Sequence, residues 1–362
     1  MNIHMRGMLP AAALCFSVAC PAQTQPADAT RSDPVAYLNR ALDEIQKRAL
    51  RRATVDWPRV RAGALARAAH AELTVDTYDA IRFALESLGD HHSSLHPTLA
   101  LEKLESARKP APIVRDQTEK PASPFVGRYQ PEGRLAALAG STFAIVVVTK
   151  CFPENERQFV AYETELQRIV ADLDRSHPAG WVVDLRGNVG GNMWPMLAGI
   201  GPVLGEGDHL GEFFTADGHA VWRYRDGVAS AVSDDGKEDR YPPVARAPYK
   251  LTAAPRVAVL IDSLTASSGE AVAIAFRGRP HARFFGEHTR GLSTANEVFA
   301  LSDGAAIWLT VGIDADRTGR KYIDGFDPDQ AIRGRDKILP DDRDPVLQAA
   351  LRWLGAVPRG AP

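Results

Sequence analysis

Two hydrophobic rhythms run along the chain, and the change from one to the other divides it. From Pro34 the apolar positions Leu38, Leu42, Ile45 and Ala49 recur at the spacing of an amphipathic helix. The stretch from Val60 to His70 continues in Ala- and Arg-rich helical composition. A third helix is predicted where Thr74 or Asp76 can act as N-cap, Tyr78, Ile81, Leu85 and Leu88 form one stripe, and Gly89 provides the stop. Residues 34–106 are therefore expected to form a small helical bundle that ends in GDHHSSLHP.

Residues 107–132 are rich in proline and charge and hold no period, which marks a linker. Beyond them the rhythm becomes that of buried strands alternating with helices. FAIVVV (143–148) reads as a strand, Phe159, Tyr162, Leu166, Ile169 and Leu173 as one helix face, and GWVVDLR (180–186) as the next strand. Such alternation predicts parallel strands joined by crossover helices. Short alternating runs between 210 and 250, such as HAVWRYRDG, predict a hairpin cap. RVAVLID then leads through LTASSGE into a helix reaching Phe276, followed by a strand ARFFG, a hairpin in NEVFALSDGAAIWLTVG and a last helix from Pro345 to Leu354. The expected fold class is α/β (α+β): a helical bundle followed by a core domain over 133–357.

The N-terminus changes the picture. MNIHMRGM carries positive charge and precedes the apolar run LPAAALCFSVAC, the pattern of a secretory signal over residues 1–19, with a polar tether over 20–33. Cleavage after Ala19 or Ala22 places the mature protein in the periplasm, and the first of these leaves Cys20 at the new terminus, a candidate lipid anchor. With Cys15 removed, Cys20 and Cys151 support no disulfide framework, and Cys151 reads as a buried, inert thiol. A hydrophobic share of 45% against 24% charged is that of a globular protein, and a net charge of −2 without a basic stripe excludes nucleic acid as a partner. No later stretch is long and apolar enough to span a membrane.

Candidate chemistry gathers at LTASSGE, between a predicted strand and a predicted helix. Ser267 at a helix N-terminus faces unpaired N–H groups and the positive end of the helix dipole, which suit a nucleophile whose carbonyl target becomes an oxyanion. The simpler reading makes Ser267 and Ser268 helix caps, with Glu270 completing a capping box. DLRGNVGGN (184–192) ends another strand in a glycine turn that can aim backbone donors into a cleft. It lacks the Lys and Ser/Thr of a phosphate-binding loop. Asp184 and Arg186 are expected to pin this turn as a buried pair. His91, His92 and His96 crowd the end of the bundle; without a nearby cysteine or an HExxH spacing, a general base is favoured over a metal site, and neither metal nor cofactor is expected.

LESLGDHHS, GWVVDLRGNVGG, VLIDSLTASSGE, and FFGEHTRG followed by DGFDPD together resemble, in order and spacing, the C-terminal processing peptidase and tricorn core family of serine peptidases. The resemblance implies a ClpP/crotonase-like ββα spiral core with a β-hairpin cap, a peptide or protein substrate and cleavage near C-termini. It implies Ser267 as nucleophile, with the oxyanion held by the N–H of Ser268 and that of Gly190 or Gly191. One branch of the family takes its base from a lysine at the position of Leu292, which this chain lacks; Arg290 stays protonated and is no substitute. The tricorn-like branch implies His92 as base, with Asp324 in the position of an orienting Glu, and with the assisting hydroxyl absent at His91 or supplied by Ser93. The Pro-rich stretch after His92 leaves no room for the PDZ domain that many members insert. Alternatives on the same fold are a catalytically inactive ligand- or peptide-binding protein, and a crotonase-like acyl-transfer enzyme.

Overall fold

The computed structural model describes residues 30, 32–108, 130–153, 155–241, 248–252, 254–333 and 340–356. The signal, nearly all of the tether with Cys20, and most of the linker therefore lie outside the described residues.

Helices α1 (Pro34–Arg48), α2 (Trp57–Arg67) and α3 (Tyr78–Glu86) form the N-terminal bundle. Asp33 caps α1 by accepting from the N–H groups of Val35 and Ala36, and Leu38, Leu42 and Ile45 are fully buried, as the period requires. The start of α3 departs from expectation. Neither Thr74 nor Asp76 caps it; a 3₁₀ turn over Thr74–Thr77 leads straight in, while the Asp76 carboxylate accepts from the N–H groups of Glu72 and Leu73. A short strand β1 (Ser94–His96) and helix α4 (Leu99–Arg108) follow.

Among the described residues the remaining strands form two sheets. In the first, the order is β14–β10–β9–β4–β3–β2, from β2 (Glu132–Leu138), β3 (Ser141–Val147), β4 (Trp181–Asp184), β9 (Val257–Ile261), β10 (Ala282–Gly286) and β14 (Gln330–Ala331). Only the β2–β3 pair is antiparallel. Helix α5 (Glu156–Asp174), helix α6 (Met193–Leu204) and helix α7 (Ser268–Phe276) share a core with one face of this sheet. Helix α8 (Pro345–Gly355) covers the other through Val346, Leu347 and Leu351. Asp184 and Arg186 are the expected buried pair, and Arg186 also reaches Asp344 at 2.8 Å. Burial opposes the Arg186 charge, yet these two carboxylates hold it above its ordinary value. Because Asp344 also caps α8 through Val346 and Leu347, the last helix is bolted to the end of β4.

The second sheet is antiparallel. It contains β5 (Gly207–Thr215), β6 (His219–Arg225), β7 (Val228–Ser233), β8 (Glu238–Arg240), β11 (Thr294–Ala300), β12 (Ala306–Asp316) and β13 (Lys321–Tyr322). The long strand β12 also pairs with β1. Its residues Ile307, Leu309 and Val311 belong to the core of the N-terminal bundle, so bundle and sheet share one apolar interior.

A polar knot completes that joint. Asp303, in the β11–β12 turn, accepts from the hydroxyls of Tyr37 (2.9 Å), Tyr78 (2.7 Å) and Thr74 (2.7 Å), all in the bundle. Hydrogen bonds to a buried charged acceptor are among the stronger ones, and removing the acceptor strands every donor. Asp303→Ala is expected to lower the unfolding free energy by about 3 kcal/mol in urea titration. It is also expected to expose the N-terminal helices to limited proteolysis before the rest. A loss below about 0.5 kcal/mol would show that apolar packing alone holds the bundle.

Candidate active site

The site is built where the adjacent parallel strands β4 and β9 end. After β9 the chain turns through Asp262, whose Oδ1 accepts from the N–H groups of Leu264, Thr265 and Gly187, the last in the turn after β4. Thr265 is completely buried; its hydroxyl lies 3.0 Å from the Leu185 carbonyl and accepts from the Asp262 N–H. Ala266 N–H then donates to the Asn188 carbonyl at 2.9 Å. Two turns far apart in sequence are thereby stitched into one.

At the crest stands Ser267, with φ 52° and ψ −123°. A side chain is rarely found there, and the conformation costs about 1–3 kcal/mol. It is the N-terminal residue before α7. The Ser268 hydroxyl donates to the Gly191 carbonyl. In the glycine turn, Gly190 and Gly191 have φ 107° and 112°, and a Cβ on Gly190 would lie 2.9 Å from the Cβ of Ser267. Gly190 N–H is already used, donating to Asn188 Oδ1 at 3.0 Å, so of the paired expectation Gly190 or Gly191 only Gly191 keeps a donor to offer. No acceptor is recorded among the described residues for the N–H groups of Gly191 and Ser268. Cys151 supports the turn through its backbone, receiving from Asn192 N–H and donating to Gly190 O, while burial pushes its thiol up to about 12.

Glu270 fixes the backbone of Ser267. It is fully buried in the first turn of α7. Its Oε2 accepts from Ser267 N–H (2.9 Å) and Leu292 N–H (2.8 Å). Its Oε1 accepts from Thr289 Oγ1 (2.6 Å), Gly291 N–H (3.0 Å) and Ser293 Oγ (3.1 Å). The capping box read from the sequence is only part of this role.

His92 faces Ser267 across a cavity of about 260 Å³ that both line, together with Ser268 and Gly191. Asp90 Oδ1 receives the His92 N–H, Asn296 Nδ2 donates to its carbonyl, and its Nδ1 lies 2.7 Å from Thr294 Oγ1. The remaining nitrogen, Nε2, is thus left for the serine. Burial, only partly offset by the charge of Asp90, pushes the imidazole down to about 4, so it is neutral at pH 7. His91 is exposed, and His96 lies against Trp308 with the rings tilted at 30° and their centres 4.6 Å apart.

Two expectations need correction. Asp324 is not brought to His92: it is exposed, does not line the cavity, and its carbonyl is held by His288 Nε2 at 2.9 Å. The mutual bonds of Thr289 and Phe326 clamp this loop to the 287–291 turn. Ser93 does not assist the imidazole either; its hydroxyl donates to Asp90 Oδ2 and accepts from Thr310 N–H. The hydroxyl at the ring is Thr294, the first residue of β11, for which no local sequence pattern speaks. Leu292, at the lysine position of the other branch, places no cation in the cavity.

A strained serine at a helix N-terminus, opposite a neutral histidine and beside unused N–H groups, is the equipment of a serine hydrolase. The chain belongs to peptidase family S41, whose model matches residues 144–332, and is a serine-type peptidase acting on peptides or proteins. It is 25% identical over 295 residues to a nisin-resistance protein of Lactococcus lactis subsp. lactis, covering 80% of each chain. It is 27% identical over 202 residues to a chloroplastic C-terminal processing peptidase of Tetradesmus obliquus, covering 53% of this chain and 36% of that one. The fold is that of a Streptococcus agalactiae lipoprotein (TM-score 0.65, 22% identity, 89% of this chain and 96% of that one). It is also that of a photosystem II D1 C-terminal processing protease (TM-score 0.56, 18% identity, 90% and 98%). The mixed α/β architecture with N-terminal helices agrees with the sequence reading.

Replacing Glu270 by Gln keeps the shape but substitutes an amide donor for one acceptor oxygen, setting it against N–H and O–H donors. Glu270→Gln is expected to cost about 2–3 kcal/mol of stability in chemical denaturation and to reduce peptidase activity, though Ser267 and His92 are untouched. Unchanged activity would show that the turn holds Ser267 without it.

Proposed function

We propose that the protein is an exported peptidase that cleaves peptides or proteins near their C-termini through an acyl-enzyme on Ser267. His92 Nε2 takes the hydroxyl proton as Ser267 Oγ attacks the scissile carbonyl, and the N–H groups of Gly191 and Ser268 receive the oxyanion. His92 then passes the proton to the leaving amine, and water activated by the same imidazole releases the acyl group. The observation that carries this reading is the strained backbone of Ser267, on the rim of a cavity that His92 shares. Strain of this kind gathers at functional sites, and the histidine and the unused N–H groups beside it favour catalysis over ligand binding alone.

For Nε2 to act as base, Nδ1 must hold the other proton and donate it to Thr294 Oγ1. Thr294 thus takes the orienting place that Asp324 leaves vacant. A hydroxyl fixes the tautomer without adding negative charge, which agrees with the low basicity of His92. Export rests on the N-terminal signal pattern, with Cys20 as its candidate lipid anchor, and on the likeness to a lipoprotein and a resistance protein. No helix among the described residues is long and apolar enough to cross a membrane. C-terminal trimming rests on the names of the processing peptidases the chain resembles.

A fluorophosphonate probe tests the nucleophile and the base together. Wild type is expected to be labelled, Ser267→Ala not at all, and His92→Ala about 100-fold or more slowly. The rate should rise with pH as His92 loses its proton, with a midpoint near 4 rather than 6.5, and be level at neutral pH. A wild type that takes no label and cleaves no peptide would sink the reading, whereas a midpoint at or above about 6.5 would remove His92 as the buried base.

Thr294→Val, equal in shape but without the oxygen, is expected to lower kcat by about 10- to 100-fold with KM little changed. Thr294→Ser should restore it. Equal loss in both variants would reduce Thr294 to a packing residue.

A further inference from the structure

The mechanism above does not use Asp314, a second buried carboxyl of the same cavity. It lies near the end of β12, opposite Phe213 of β5 and Tyr322 of β13, is 1% exposed, and lines the cavity together with Ser267. Its Oδ1 is buried without a hydrogen-bond partner, and among the described residues no donor is recorded for its carboxyl. Its backbone is fixed, with the N–H given to Ser293 O. The same cavity is lined by the apolar residues Met193, Trp194, Phe213, Ala271 and Leu292 and by the neutral polar residues Asn192, Thr294 and Asn296. No lysine or arginine lines it among the described residues.

A buried carboxyl without a partner in the wall of such a cleft is a costly arrangement that an isosteric hydrophobic residue would avoid. An apolar substrate side chain entering the cleft would leave the cost in place, and an acidic one would add to it, since Glu270 stands close enough to disfavour a second negative charge. A side chain with a long apolar stem and a cationic head fits both parts of the lining, stem against Trp194 and Leu292, head against the carboxyl.

We propose that Asp314 is the specificity determinant of the cleft and that the pocket takes a lysine or arginine side chain of the substrate, at the residue whose carbonyl Ser267 attacks. This rests on the peptidase reading above. Ala271 follows Ser267 by one turn of α7, so the pocket opens beside the nucleophile, and about 260 Å³ holds one long side chain. Burial, and after it the neighbouring Glu270, hold the Asp314 carboxyl well above its usual range, which disfavours an unpaired carboxylate there. The arriving cation makes the carboxylate the favoured form, and the proton leaves to solvent.

The test is a set of peptides alike except at that position, carrying Lys, Arg, Gln, norleucine or Glu, cleaved by the full chain and by Asp314→Asn. The Lys and Arg peptides are expected to exceed the norleucine and Gln peptides by about 100-fold in kcat/KM, with Glu slowest. Asp314→Asn should reduce that advantage to less than about 5-fold. Norleucine or Gln cleaved as well as Lys by wild type, or a Lys preference that survives Asp314→Asn, overturns the assignment. The wild-type series decides even if the variant does not fold. Fluorophosphonate labelling of Ser267 separates the two failures: labelled enzyme without a basic preference refutes the pocket alone, while absence of labelling and cleavage removes the peptidase reading and the pocket with it.

Discussion

The carboxylate of Glu270 is buried in the first turn of α7 and is satisfied only by groups that lie on separate segments: Ser267 N–H on one side, and Thr289, Gly291, Leu292 and Ser293 on the other. A buried charge of this kind is tolerable only when its lone pairs are filled, and the filling draws the 289–293 segment against the nucleophile turn. The segment leads directly into Thr294, whose hydroxyl meets His92. One acceptor group thus sets the backbone of the serine and, through the strand it anchors, the position of the hydroxyl that meets His92 Nδ1.

The strain at Ser267 follows from the same geometry. Asp262, Thr265 and Asn188 draw the ends of β4 and β9 together, and the chain has to pass Ser267 in a left-handed conformation to enter α7. Close approach of the glycine turn makes this compact: any side chain at Gly190 would press on Ser267, and one at Gly191 would meet the Cys151 carbonyl at 2.0 Å. Gly191 and Ser268 both line the cavity with Ser267, and their N–H groups have no partner among the described residues. Donors fixed in this way need no reorganisation when charge appears, which is where such sites gain most of their effect.

Much of this was legible in the sequence because short motifs carry it. The parallel strands announced themselves as apolar runs, the amphipathic helices α1, α3 and α5 by their stripes, and Ser267 and the glycine turn by the strand-to-helix junctions they occupy. Helix α6 did not, because MWPMLAGIGPVL is buried on every side and contains Pro202, so it shows neither a stripe nor an uninterrupted helical composition. Asp324 was misplaced because a motif gives order along the chain but not which face of a loop a side chain takes. Thr294 and Asp314 were invisible for a related reason: each matters through what a distant segment brings to it, His92 in one case and Ser267 in the other. The one local hint was an aspartate within the apolar strand AIWLTVGIDAD, where a charge is out of place unless something uses it.

β12 gives the architecture its logic. At one end Ile307, Leu309 and Val311 enter the interior of the helical bundle that delivers His92; toward the other, Asp314 enters the cavity that Ser267 overlooks. Along the way the strand pairs with β1 at its start and with β11 over most of its length, and these carry Ser94 and Thr294 on the cavity wall. His92 therefore comes from one part of the chain and Ser267 from another, yet both are referred to a single strand whose register cannot slip without turning its buried face to solvent. A hydroxyl and an imidazole must meet within about 3 Å to exchange a proton. Precision of that order across two packed units is easier to keep when they share a rigid strand than when they meet at a surface. The knot of Tyr37, Thr74 and Tyr78 on Asp303, at the turn where β12 begins, closes the joint at the bundle's end.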